Sequence, residues 1–132
     1  MERLADHAVA ARLRAYSPYS GFAVGAALLA DDGKVYEGCN VENASYGLTN
    51  CAERSAVFAM VTGSGKKITA LAVIADAPRP ISPCGACRQV LSEFASADTP
   101  VWLSNLQGEC KKTTMGELLP YAFWREDMVT DE

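Results

Sequence analysis

Two short motifs in this chain hold residue types suited to metal chemistry: Cys51-Ala52-Glu53 and Pro83-Cys84-Gly85-Ala86-Cys87. They offer three soft thiolates and one carboxylate. Three protein ligands leave a tetrahedral zinc with one open position, which is what a catalytic zinc requires. A glutamate two residues after the first cysteine is placed to shuttle protons for water at that position. The pattern points to hydrolysis by a zinc-bound hydroxide. Spacing leaves other readings open. Cys84 and Cys87 match a thioredoxin-like redox dithiol. They also match half of a structural zinc knuckle, completed by Cys51 and by Cys39 or Cys110. Glu53 forms with Asn50 the Asn-x-x-Glu pattern of a capping box.

An all-sulfur ligand set has an electrostatic difficulty. Three thiolates outweigh the charge of one Zn2+ and oppose ionisation of a bound water. Both cysteine motifs fall at predicted helix starts, where unpaired N–H groups and the helix dipole lower thiol pKa values. Arg54 is a candidate to offset the rest by donating to a ligand sulfur; the alternative is a solvated helix arginine. Cys39 and Cys110 read as small hydrophobes in strands. His7 is the single histidine, which excludes a two-histidine metal site, and it reads as a surface residue.

These side chains need elements that bring residue 51 to residues 84–87. Residues 3–15 read as a helix, with Leu4, Ala8, Val9, Ala11 and Leu13 on a partly apolar face that breaks at Ser17-Pro18. Phe22 to Ala30 is a continuous apolar run and predicts a buried strand. Asp31-Asp32-Gly33-Lys34 is a turn, and Lys34 to Val41 is the returning strand of a hairpin. Asn50 to Val61 predicts a helix that ends near Gly63-Ser64-Gly65. Ile68 to Ala75 is a second strongly apolar strand. Ser82-Pro83 opens a helix running to about Ala95, with proline in its first turn. Val101 to Ser104 and Cys110 to Thr114 predict two short strands, and Gly116 to Leu119 a helical turn. Strands alternating with helices after an initial hairpin give an α/β sandwich with parallel crossovers and layers on both sheet faces.

The chain of 132 residues reads as a single domain, residues 1–132, with 49% hydrophobic residues. No apolar run approaches the ~20 residues of a membrane span. The charged N-terminal stretch lacks the apolar core of a signal peptide, so a cytoplasmic location is the default, and thiols there stay reduced. Net charge is −4, from 16 acidic and 12 basic residues, and no Lys/Arg cluster provides a nucleic-acid face. A small neutral substrate fits better than a polynucleotide.

Four stretches carry a family resemblance: Tyr19 to Ala27, Gly38 to Tyr46, Asn50 to Arg54 and Ser82 to Gln89. In this order and spacing they resemble the small homotetrameric cytidine deaminases, part of the cytidine/deoxycytidylate deaminase superfamily. The similarity runs from about residue 2 to about residue 125. It implies a three-layer α/β/α sandwich with a mixed five-stranded sheet. It also implies hydrolytic deamination of cytidine, and of deoxycytidine, to uridine or deoxyuridine and ammonia, in pyrimidine salvage. One zinc per subunit would sit on Cys51, Cys84 and Cys87, with Glu53 as proton shuttle. Polynucleotide-editing members usually have histidine where this chain has Cys51, which fits the free-nucleoside branch.

Substrate contacts carry over by position. Asn40 and Glu42 correspond to residues that bond the ribose 3′-hydroxyl; without the resemblance they read as the exposed face of a strand. Phe22 corresponds to a residue packing on the pyrimidine, where the alternative is a core phenylalanine. The Ala52 backbone would donate to the pyrimidine carbonyl, and Ser82 would lie beside the leaving ammonia. Tyr46 would reach a neighbouring subunit's site. Phe123 would stack on a neighbour's substrate, though its aromatic tail also reads as an apolar edge closing the domain's own core. The resemblance leaves a modified-nucleoside deaminase, of the blasticidin S kind, and a non-enzymatic zinc module as alternatives.

Overall fold

The apolar run ending at Ala30 becomes an interior strand of a sheet, paired along both edges and covered on both faces. A computed structural model of the chain describes residues 2–128. Strand β1 (Val24–Ala30) pairs antiparallel with β2 (Val35–Cys39) and with β3 (Ile68–Ala75). Strand β4 (Pro100–Asn105) runs parallel to β3, and β5 (Cys110–Thr114) pairs antiparallel with β4. The sheet is therefore mixed, with five strands in the order β2-β1-β3-β4-β5. Leu28 of β1 stands opposite Tyr36 of β2 and Leu71 of β3.

The two-residue period of the strands splits their apolar side chains between two cores. Ala26, Leu28, Leu71, Val73, Val101 and Leu103 belong to one core. It is closed by Ala56, Val57 and Met60 of α2 (Ala52–Thr62), by Leu91 of α3 (Gly85–Phe94) and by Met115 and Leu118 of α4 (Met115–Leu118). On the other face Ala27, Ala70, Ala72 and Ile74 meet Leu4 and Ala8 of α1 (Glu2–Arg12). The result is the expected three-layer α/β/α sandwich. Burying side chains such as Leu28, Leu71 and Leu91 stabilises it by roughly 1.5–3 kcal/mol each.

Several element ends differ from expectation, each for a local reason. The first helix stops at Arg12, and Leu13, Arg14 and Ala15 tighten into i→i+3 turns ahead of Ser17-Pro18. The returning strand stops at Cys39, because the Asn40 side chain turns to the 22–24 segment. Val41 instead bridges Asn50 and Tyr16. Asn50 is held in that bridge, so the second helix begins at Ala52 with Cys51 as its cap. Pro83 lies before the cap of α3 rather than in its first turn, since the Cys84 sulfur takes the capping role. A 3-10 turn at Tyr46–Leu48 was not expected. Among the described residues no helix is long and apolar enough to cross a membrane.

Strand direction places the chemistry. β2 and β3 are each antiparallel to β1, so they run the same way. Helices α2 and α3 follow them and pack on the same face. Their N-termini therefore start at the same edge of the sheet.

Candidate active site and metal centre

Cys51 and Cys84 are the N-cap residues of α2 and α3. The Cys84 sulfur accepts from the Cys87 N–H at 3.5 Å, which satisfies one of the unpaired donors of that helix start. The three sulfurs of Cys51, Cys84 and Cys87 lie within 4.8 Å of one another. Cys51 Sγ and Cys84 Sγ are 3.8 Å apart, and Cys84 Sγ and Cys87 Sγ 3.3 Å. A tetrahedral zinc with ~2.3 Å Zn–S bonds has sulfur–sulfur edges of about 3.8 Å. The donor set fits zinc. All five cysteines are free, so Cys84 and Cys87 form no disulfide of the kind a redox dithiol predicts.

Among the described residues no fourth side chain completes a closed knuckle, and neither Cys39 nor Cys110 joins the cluster. Cys39 is half-buried on β2. Cys110 is exposed, which corrects its reading as a small hydrophobe: it opens the edge strand β5, whose first residues face solvent. His7 is also absent from the cluster. It is half-buried rather than a free surface residue, and its Nδ1 bonds the Glu37 carboxylate, which Arg14 also meets.

The electrostatics of the sulfurs follow from their neighbours. Hydrogen bonding from Cys87, then from Arg54 and Cys84, pulls the Cys51 thiol down to about 5 against its partial burial. The same bond to Cys51, together with burial and the nearby Glu53, holds the Cys87 thiol well above the usual range. Arg54 Nη2 donates to Cys51 Sγ at 3.4 Å, which is the geometry charge compensation requires. Its Nε is buried with no acceptor among the described residues. A half-buried guanidinium that meets no carboxylate among the described residues fits a cluster of anionic sulfurs.

Glu53 shares a helical turn with Cys51 and is buried, with 4% of its surface exposed. Burial first, and the nearby Cys51 charge second, push its carboxyl up to about 7. The capping-box alternative is not realised, because the cap is Cys51 and not Asn50. A buried carboxyl in the same helical turn as one sulfur of the cluster, with its pKa raised, suits proton transfer. Ala52 opens α2, so its N–H is one of the donors that lack an intrahelical partner.

Asn40 and Glu42 do not line the exposed face of a strand. They hold the preceding loop in place. Asn40 is buried; its Oδ1 accepts from the Val24 N–H at 2.9 Å, and its Nδ2 donates to the Phe22 carbonyl at 2.8 Å. Glu42 Oε1 accepts from the N–H groups of Tyr19, at 2.9 Å, and Ser20, at 3.1 Å. Asn40 keeps a second N–H and a second lone pair on Oδ1, and Glu42, whose Oε2 also accepts from the Ser20 hydroxyl, keeps one lone pair. Phe22 is 40% exposed, so it is not a core phenylalanine. A cavity of about 380 Å³ is lined by Tyr19, Ser20, Glu42, Asn43, Tyr46 and Thr49. Tyr46 itself is exposed and meets Tyr19 edge to face, with ring centroids 6.4 Å apart.

Ser82 is exposed in the extended stretch entering α3. Phe123 is exposed, so it does not close the domain's own core; its neighbour Trp124 packs there instead. The tail is tied to α3, since Gln89 Nε2 donates to the Phe123 carbonyl at 3.1 Å. Sequence reasoning assigned no role to Gln89, Arg88 or Gly38. Arg88 Nε donates to the Pro83 carbonyl at 2.8 Å and its Nη1 to the Leu118 carbonyl at 2.6 Å, fixing the residue before Cys84. Gly38 lies under the first turn of α2, where a Cβ would stand 2.4 Å from the Ala52 carbonyl oxygen. Each lies in one of the stretches that carry the family resemblance, and that is the signal the sequence gives.

Comparison with known proteins agrees with this geometry. Residues 1–103 match the model of the cytidine and deoxycytidylate deaminase zinc-binding region. A cytidine deaminase of Halalkalibacterium halodurans is 56% identical over 127 residues, 96% of each chain. One from Sporosarcina psychrophila is 53% identical over 128 residues, covering 97% of this chain and 94% of its own. The crystal structure of cytidine deaminase from Burkholderia pseudomallei superposes with a TM-score of 0.89 at 52% identity, over 92% of this chain and 98% of that one.

Proposed function

We propose a function from one premise: this chain belongs to the cytidine and deoxycytidylate deaminase family defined by its zinc-binding region. It is a zinc-dependent cytidine deaminase, converting cytidine and water to uridine and ammonia. Deoxycytidine is proposed as a second substrate and pyrimidine salvage as the setting. The observation that carries this reading is a three-sulfur cluster with a buried carboxyl in the same helical turn.

Cys51, Cys84 and Cys87 would hold the zinc, and zinc in such a site makes water nucleophilic near neutral pH. Arg54 offsets the negative charge of the sulfurs. Glu53 takes a proton from the attacking water and delivers it to N3 of the ring, which makes C4 electrophilic. Glu53 then carries the remaining hydroxyl proton to the amino nitrogen, which leaves as ammonia while the C4 carbonyl forms. One carboxyl can serve both transfers if water, N3 and the amine all lie within hydrogen-bond reach. The Ala52 N–H would donate to the pyrimidine carbonyl, Ser82 would flank the departing ammonia, and Phe22 would cover the ring. The spare N–H of Asn40 and the spare lone pair of Glu42 would meet the ribose 3′-hydroxyl as donor and acceptor.

A homotetramer with shared sites, and a cytoplasmic location, complete the proposal. Tyr46, Leu48, Phe58, Val61 and Phe123 are all exposed, and large apolar residues in such number support burial between copies. Tyr46 and Phe123 would then complete a neighbour's site. Five free thiols support a reducing compartment. A single sheet carrying both cores supports the reading of one domain. The relatives at 53% and 56% identity are named cytidine deaminases, which favours cytidine over a modified nucleoside.

Glu53→Gln is the decisive test. Cytidine turnover, followed by ultraviolet absorbance, should fall roughly a hundred- to ten-thousand-fold, while metal analysis finds zinc still bound. Zinc-loaded wild type that leaves cytidine and deoxycytidine untouched would overturn the reading.

A further inference from the structure

One hydroxyl, that of Ser20, lies between two segments of the proposed nucleoside site. Ser20 Oγ donates to Glu42 Oε2 and accepts from the Phe22 N–H at 3.0 Å. The Ser20 N–H adds a third tie, to Glu42 Oε1 at 3.1 Å. Between Ser20 and Phe22 stands Gly21, with φ of 69°, a left-handed conformation that glycine adopts without strain. The loop therefore folds back on the serine, and the side chain closes it.

We propose that Ser20 is a positioning residue that sets both the sugar contact at Glu42 and the ring contact at Phe22. This rests on the deaminase reading above and deepens it. The argument is one of hydrogen-bond capacity. A carboxylate offers about four lone-pair sites. Three on Glu42 are taken, by Tyr19 N–H and Ser20 N–H on Oε1 and by the Ser20 hydroxyl on Oε2. The one left is on Oε2, and its direction is fixed by the serine. The same contacts, that of the Ser20 side chain first, keep Glu42 ionised and so an acceptor only. Without the hydroxyl, Oε2 rotates or binds water, and the Phe22 N–H loses its partner. Asn40 still holds the Phe22 carbonyl and the Val24 N–H, so the loop stays attached but loses its orientation.

The test compares cytidine with 3′-deoxycytidine in wild type, Ser20→Ala and Ser20→Thr, beside amide hydrogen exchange of each protein. Ser20→Ala should raise KM for cytidine about tenfold, a loss of one charge-assisted hydrogen bond, with kcat changed less. Its KM for 3′-deoxycytidine should rise less, through Phe22 alone, so discrimination between the two substrates narrows. Amides at positions 19 to 22 should exchange faster while Val24 stays protected, and Ser20→Thr should restore both readouts. A uniform loss of kcat and melting temperature in Ser20→Ala, with discrimination kept, would show a merely structural serine and overturn the proposal. Unchanged KM and unchanged exchange would overturn it as well. Wild type inactive on cytidine is a different result: it removes the deaminase reading, and the substrate role of Ser20 with it.

Discussion

Glu53 and Asp32 show how environment decides what a carboxyl does. Glu53 is buried and its carboxyl is pushed up to about 7 by desolvation. Asp32, in the turn between β1 and β2, is only half-buried and is hydrogen-bonded instead. Its Oδ2 accepts from Ser64 Oγ and Tyr36 Oη, both at 2.6 Å, and its Oδ1 from the Lys34 N–H at 2.9 Å. Those bonds, Ser64 first, hold it down to about 2. A folded-state value below the unfolded one means that the ionised form stabilises the fold. That contribution is complete above about pH 4 and is lost as pH falls towards 2. Asp32→Asn should therefore melt below wild type at pH 6, and the gap should close as pH is lowered to 2. Thermal melts of both proteins across that range check it; a gap independent of pH would remove the carboxylate from the account. Ser64 lies 32 residues from Asp32, so nothing local foretold its place in the cluster.

At the scale of elements, the decisive contact is α2 on β2. The chain at Gly38 lies so close to α2 that a Cβ would stand 2.4 Å from both the Ala52 carbonyl oxygen and the Ala56 nitrogen. These are backbone atoms of the helix that begins with Cys51 and Glu53, and they cannot step aside singly. Gly38→Ala must shift the first turn of α2, and overpacking of this kind costs about 1–3 kcal/mol. Chemical denaturation and zinc content together measure it: stability should drop and zinc occupancy fall, because Cys51 moves away from Cys84 and Cys87. A variant of wild-type stability with full zinc would contradict that packing. The strand–helix alternation was legible in the sequence, since apolar runs and turn residues act locally. The ends of elements were less so. Strand β2 stops at Cys39 because Asn40 bonds a segment sixteen residues earlier, a partner that periodicity does not reveal.

For the whole molecule, the proposed homotetramer makes its own demand on activity. Tyr46 and Phe123 extend from the chain instead of filling its core. If they complete neighbouring sites, activity depends on assembly. Sedimentation velocity should find a species of four times the chain mass, and dilution that dissociates it should lower specific activity in parallel. A monomer with full activity would end the shared-site proposal. The tail is poised for such a role because Gln89 ties the Phe123 backbone to α3 and leaves the ring outside.

The sequence by itself determined the chemistry at hand: three thiols at helix starts, a glutamate two residues after the first, an arginine beside it and an acidic chain without a basic face. It also determined which runs are strands and which are helices. Only the tertiary structure decided that Cys51 meets Cys84 across 33 residues, that Glu53 is buried, and that Asn40 and Glu42 brace the loop at 19–24. The reason is physical. Periodicity, caps and turns depend on neighbours in the chain, whereas the convergence of two helix starts depends on strand order and direction. Those are set by burying apolar surfaces distant in sequence, and they turn two separate cysteine motifs into one metal centre.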